Sequence, residues 1–273
     1  MYNAINKTVI AACALLLAAA CADKEKEAAA DLCRQTQQAI ENRDYSRALT
    51  LLDTIDIRYR AQTDIRRQGI RLRAQAMEGI AMDSISSQDR ALAQATIDAQ
   101  AMAAKFKHIE DKVGLEAYYI PLDASDKVMT TTGVQPRISD QGFFYAVANV
   151  QGRAIGLNGF EITDGAEAFT SRKLSPSRIV SVEGSESASF SPEDIRGLGE
   201  WLIEHPKASG LIITGSKSNV KLKLDPKLRS QFIECYTYAK ALNAKHLATV
   251  RREKYERMLA TARDQLANAP AEQ

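Results

Sequence analysis

Asp225-Pro226-Lys227-Leu228-Arg229-Ser230-Gln231-Phe232 opens the stretch, 225–268, whose reading decides the fold. Aspartate followed by proline is a helix start: the carboxylate caps free amides, and proline suits the first turn because no N–H is needed there. Leu228, Phe232, Cys235, Ala239 and Leu242 then recur at heptad spacing. Tyr255, Leu259, Ala262 and Leu266 resume it after a phase slip near His246, and Pro270 stops the run. A matching arm occupies 61–113, helical from a Thr63 cap to about Lys112 and ended by Gly114. Its apolar stripe is Ile65, Gly69, Leu72 and Ala76, then Leu92, Ala95, Ala99, Met102, Phe106 and Ile109, with a stutter or short break at 83–89. Between the arms, 114–224 alternates β-branched and aromatic with polar residues. The reading is therefore α+β: a small, mainly antiparallel β-domain inserted between the two arms of a long antiparallel, coiled-coil-like helical stalk. Both arms meet the β-domain, which places Leu92 and Ala95 opposite Leu242.

Inside 114–224 the pattern predicts about six strands. Phe143–Val150 and Arg153–Thr163 flank Gln151-Gly152 as a hairpin; Ser177–Val182 and Ser187–Phe190 flank Gly184-Ser185; Leu211–Thr214 and Val220–Leu224 close the set. Ser191-Pro192-Glu193-Asp194 opens one short helix carrying Ile195, Leu198, Trp201 and Leu202 and ending before Pro206. Ahead of the first arm, 27–60 reads as a helical hairpin turning at Asn42-Arg43-Asp44. Asp44-Tyr45-Ser46-Arg47-Ala48-Leu49 resembles the turn and second helix of a tetratricopeptide repeat. No second copy follows, and a free-standing array needs about three.

The amino terminus carries an address. Lys7 precedes a thirteen-residue apolar run, Thr8 to Ala20, too short to span a bilayer, and small residues stand directly before Cys21. Leu17-Ala18-Ala19-Ala20-Cys21 resembles the lipobox of bacterial lipoproteins, with alanine rather than leucine three places before the cysteine. The resemblance implies removal of a signal peptide, 1–20, and acylation of Cys21, the one site residue assigned. Several acyl chains, at about 0.8 kcal/mol per buried CH2, hold a protein to a membrane where one does not. Residues 21–26 form a charged tether, and 269–273 a short tail. Ala22 stands where an aspartate resembles an inner-membrane retention signal, which favours the outer membrane, facing the periplasm rather than the cell surface.

Composition narrows function. Of 36 basic residues only Lys7 lies in the signal and no acid does, leaving 35 against 34 acids. That balance argues against a nucleic-acid partner. Gly210-Leu211-Ile212-Ile213-Thr214-Gly215-Ser216-Lys217 places Ser216 where a phosphate loop needs lysine, so strand and turn are the better account. His108, His205 and His246 fall in separate elements, and neither a metal nor a cofactor is expected. Glu193/Asp194 and Asp123/Asp126 read as caps and turns rather than paired catalytic carboxylates. Arg58, Arg60, Arg66, Arg67, Arg71 and Arg73, with Arg251, Arg252, Lys254 and Arg257, make basic faces suited to solvent or to lipid headgroups. Cys33 and Cys235 are expected to remain unpaired.

Asp140-Gln141-Gly142-Phe143-Phe144-Tyr145, Gln151-Gly152-Arg153-Ala154-Ile155-Gly156 and the long last helix together resemble a family of uncharacterised Bacteroidota lipoproteins. The resemblance implies an envelope location and brings no activity. The expectation is a membrane-anchored lipoprotein with a non-enzymatic structural or protein-interaction role and an envelope protein as partner. A glycan- or peptide-binding module on the β-domain is the alternative. An exposed aromatic among Tyr118, Tyr119, Phe143, Tyr145 and Phe160 would favour that alternative. An envelope hydrolase needs two convergent carboxylates in a cleft.

Overall fold

The computed structural model describes residues 24–110, 117–125 and 130–268. The signal, Cys21, Gly114, Asp126 and the tail 269–273 lie outside the described residues. The chain is α+β and divides into two compact units, one of residues up to 89 with those from 250, the other of 90–249.

The first unit is helical. Helix α1 occupies 24–41, α2 is Tyr45–Arg58, and α3, Thr63–Ala103, contributes its first part. The turn between α1 and α2 falls at the predicted residues. Arg43 takes a left-handed φ of 60°, and the Asp44 carboxylate accepts the Arg47 N–H at 3.1 Å. Leu72 packs with Cys33, Leu52 and Ile55, and Ala76 with Ala39 and Ala48, so the predicted stripe on α3 faces the hairpin. At Gly79 a Cβ would lie 2.4 Å from the Tyr45 ring; the missing side chain is what admits the tyrosine. Ala74, Glu78 and Ala81 form a second stripe, and Glu78 pairs with Arg263 of α5, Pro226–Asn268, at 2.9 Å. Asp89 pairs with Arg252 at 2.7 Å. Eleven residues back along α3 correspond to eleven forward along α5, so the helices run antiparallel at these contacts. Helix α3 passes through 83–89 without a break.

Among the described residues the second unit holds ten strands in two antiparallel sheets. The larger has the order β1-β2-β3-β4-β8-β7, the smaller β10-β9-β5-β6. The strands are β1 Phe106–Ile109, β2 Tyr118–Pro121, β3 Gly133–Ser139, β4 Phe144–Val150, β5 Leu157–Thr163, β6 Ala168–Thr170, β7 Val180–Val182, β8 Ser185–Phe190, β9 Gly210–Gly215 and β10 Val220–Lys223. Phe160, Phe190, Ile162, Ile213 and Phe232 are fully buried in a core shared by both sheets, the short helix α4 (Leu198–Glu204) and the start of α5. A second cluster joins Ala99 of α3, Phe106, Ile138, Cys235 and Tyr238.

Several expectations are corrected. Helix α3 ends at Ala103 rather than near Lys112. Phe106 and Ile109 belong to β1, which pairs with β2, and the Phe106 ring sits 4.5 Å from that of Tyr238. Leu242 packs against the cluster that holds Ala99 and Phe106. Strands β4 and β5 form no hairpin, because residues 151–156 carry the chain from one sheet to the other. Their amides are held by Glu186: its carboxylate accepts from Ile155 at 3.0 Å, Gly156 at 3.2 Å and Leu157 at 2.9 Å. Helix α4 starts at Leu198, since the Asp194 carboxylate turns back to the N–H and O–H of Ser191 and 192–197 stay as turns. Six strands become ten; β1, β2, β3 and β6 were not anticipated. Pro136 masked β3, yet opposite Ala146 of β4 it needs no second partner, because β2 pairs only with Ile138 and Ser139. The β7–β8 hairpin forms, but its turn is Glu183-Gly184, one residue earlier than the expected Gly184-Ser185, with φ of 48° and 79°, the two positive values of a type I′ turn. The start of α5 is also as read: the Asp225 carboxylate accepts the Leu228 N–H at 2.7 Å.

Candidate ligand-binding face

Strand parity builds the site. In the larger sheet Ile138, Phe144, Ala146, Ala148, Ala188 and Phe190 point into the two clusters, so Arg137, Ser139, Tyr145 and Ser189 point outward. Part of that outer face is covered from the chain linking β2 to β3. Gln135 donates to the Ser125 carbonyl and Asn149 to that of Thr131, and both side chains are buried. The remainder forms a cleft of about 760 Å³, lined by Tyr118, Arg137, Ser139, Gln141, Phe143, Tyr145, Arg178, Ser189, Ser191, Pro192 and Glu193.

The two arginines differ. Arg178 donates to both oxygens of Asp194, at 3.1 and 2.7 Å, and to the Ser189 carbonyl at 2.9 Å, tying its own turn to β8. Burial pushes the Asp194 carboxyl up, but Arg178 and Ser191 outweigh it and hold the group below the usual carboxylate range. Arg137 donates from Nε to Gln135 at 2.9 Å and lies over the Tyr118 ring at 4.1 Å. Arg137 and Tyr145 are direct cross-strand partners.

A smaller cleft of about 460 Å³ lies between the β3–β4 turn, α4 and α5. Tyr236 lines it and donates to Glu200; burial first, then that carboxylate, pushes the phenol up to about 12.

The predicted residues separate under this geometry. Tyr118, Phe143 and Tyr145 converge on the larger cleft, whereas Phe160 is fully buried and Tyr119 packs against Tyr238 and His108. No family model, curated protein or solved structure matches this chain. Trp201 stacks on His205 at 4.1 Å and packs against the core, as a structural residue would. The Gly210–Ser216 stretch is β9 and its turn. Asp194 is occupied by Arg178 and Ser191, and Glu193 by Arg196, so the pair does not converge on a substrate position. Two of the clustered arginines are paired at the surface: Arg73 reaches Asp53 and Asp56 of α2, and Arg66 reaches Asp56. His246 is exposed rather than in a seam. Among the described residues no three potential metal ligands gather. Arg137 and Ser139 were missed by sequence reasoning, although Val134, Pro136 and Ile138 alternate with Gln135, Arg137 and Ser139 in plain view.

Proposed function

We propose that this chain is a lipoprotein of the bacterial cell envelope, held to the outer membrane by acylated Cys21 and facing the periplasm. Its role is structural or interactive rather than enzymatic, with an envelope protein as partner. The observation that carries the reading is the apolar run ending in Ala18-Ala19-Ala20-Cys21. The arms α3 and α5 serve as an antiparallel stalk for the β-domain, a reading supported by the Asp89–Arg252 and Glu78–Arg263 pairs. Cys21→Ser is expected to move the protein to the soluble fraction or leave it unprocessed, and to abolish labelling by radioactive palmitate. Normal cleavage with continued membrane pelleting refutes the anchor.

A second reading is favoured by a specific observation: Tyr118, Phe143 and Tyr145 line one open cleft on the larger sheet. A glycan- or peptide-binding module uses aromatic faces in that setting.

A further inference from the structure

The larger cleft is walled by β2, β3, β4 and β8, and each of these strands lies between two neighbours in the sheet. β2 pairs with β3 only at Ile138 and Ser139, and β7 with β8 only at 185–187, but the Ser189 carbonyl beyond that pairing is taken by Arg178, and a ligand lying on the face of the sheet meets mainly side chains. An extended peptide adds to a sheet along an outer strand, and these four are interior to the strand order. What the cleft does offer is the tyrosine rings, the hydroxyls of Ser139 and Ser189, and arginine; its one lining carboxylate, Glu193, is paired with Arg196. Arg178 is neutralised by Asp194. Arg137 makes no ion pair among the described residues; Gln135 holds its Nε and Tyr118 lies under its plane. A fixed planar fork whose outer N–H groups meet no acceptor among the described residues is shaped for a carboxylate.

We infer that the cleft binds an acidic carbohydrate, a uronate whose carboxylate meets Arg137 while its ring lies against Tyr118 or Tyr145 and its hydroxyls meet Ser139 and Ser189. This rests on the second reading above. A volume of about 760 Å³ lies within the roughly 300–1,000 Å³ range of small-ligand sites.

The test uses full-length protein in detergent micelles and immobilised oligomers of hyaluronate, alginate and polygalacturonate, beside their neutral methyl esters. At least one acid is retained, and its ester binds about tenfold or more weakly. Arg137→Gln lowers affinity for the acid about ten- to a hundredfold, to the level of the ester, the scale of one charge-assisted pair. Arg137→Lys recovers part of the loss, and Tyr118→Leu weakens acid and ester alike, with circular dichroism confirming that each variant is folded. Retention of no uronate, or wild-type affinity in Arg137→Gln, overturns the inference. Equal binding of polyglutamate also overturns it, by making the site a general anion site. Binding of esters as tightly as acids overturns the acidic specificity while sparing the second reading, and membrane fractionation of the same variants reads the Cys21 anchor separately.

Discussion

Glu186 is the residue on which the two-sheet arrangement depends most directly. Its side chain is buried, in phase with Ala188 and Phe190 on the inner face of β8, and it accepts the N–H groups of three consecutive residues where the chain crosses between sheets. Glu186→Ala leaves those amides without an acceptor. Two of the three bonds are fully buried, and a buried unsatisfied donor costs about 1–3 kcal/mol, so the substitution should destabilise by about 2–6 kcal/mol. Glu186→Gln keeps one carbonyl oxygen for Ile155 and Leu157 but turns an NH2 toward Gly156, and should cost about 1–3 kcal/mol. Urea unfolding followed by fluorescence of Trp201, the single tryptophan, reads the β-unit selectively. A loss below about 1 kcal/mol in the alanine variant, at unchanged denaturant slope, would refute the argument, because it would mean water serves the amides as well as the carboxylate does.

Three further outcomes are expected. In Gly199→Ala the new Cβ would lie 2.1 Å from the Tyr236 ring, so overpacking of about 1–3 kcal/mol should exceed the roughly 1 kcal/mol of helix propensity gained; a stabilised variant by thermal melt contradicts the packing. His205 has a raised pKa, first because its Nδ1 lies 2.8 Å from the Trp201 carbonyl and also because it meets Glu167. Its protonated form therefore contributes stability that is full below the ordinary histidine value of about 6.5 and is lost as pH rises through the higher folded value. The urea-midpoint advantage of wild type over His205→Gln should shrink between pH 5.5 and 9, and an advantage that grows over that range reverses the sign. Burial raises the thiol pKa of both Cys33 and Cys235, the latter well above its usual value, so iodoacetamide should label neither in the native protein and both after unfolding. A Cys33–Cys235 peptide in mass spectra of unreduced protein would contradict the separate burial of the two thiols.

The helices were legible because their signals are local. Asp225-Pro226 fixes a start through groups a few residues apart, and the Ile65/Gly69/Leu72/Ala76 stripe needs only a 3.6-residue period. The sheets were legible only where a turn encodes the pairing, as Gly184 does for β7 and β8, though the turn is Glu183-Gly184 rather than the expected Gly184-Ser185. Gln151-Gly152 carries equally good turn chemistry, yet the strands beside it part. What separates them is a carboxylate more than thirty residues downstream, beyond the reach of any local pattern. The end of α3 failed for the same reason: no proline or glycine stands at 103–105, and the helix stops because β2 and Tyr238 offer Phe106 a better neighbour. A signal for Glu186 was nonetheless present, since an acid alternating in phase with Ala188 and Phe190 is out of place unless it has buried donors to meet.

The same strand explains why the cleft and the crossing belong together. Side chains alternate along β8, so the register that sends Glu186 inward to three amides also sends Ser187 and Ser189 outward, with Ser189 in the cleft. A one-residue slip would bury Ser189 and strip the crossing of its acceptor in one step. Arg178 reinforces that register from outside by binding the Ser189 carbonyl while its charge is met by Asp194, whose side chain is 3% exposed. The inner carboxylate and the outer arginine therefore hold β8 from opposite faces. The two cleft arginines thus differ in what holds them: Arg178 is paired with Asp194, whereas Arg137 makes no ion pair among the described residues and is held by Gln135 and the Tyr118 ring.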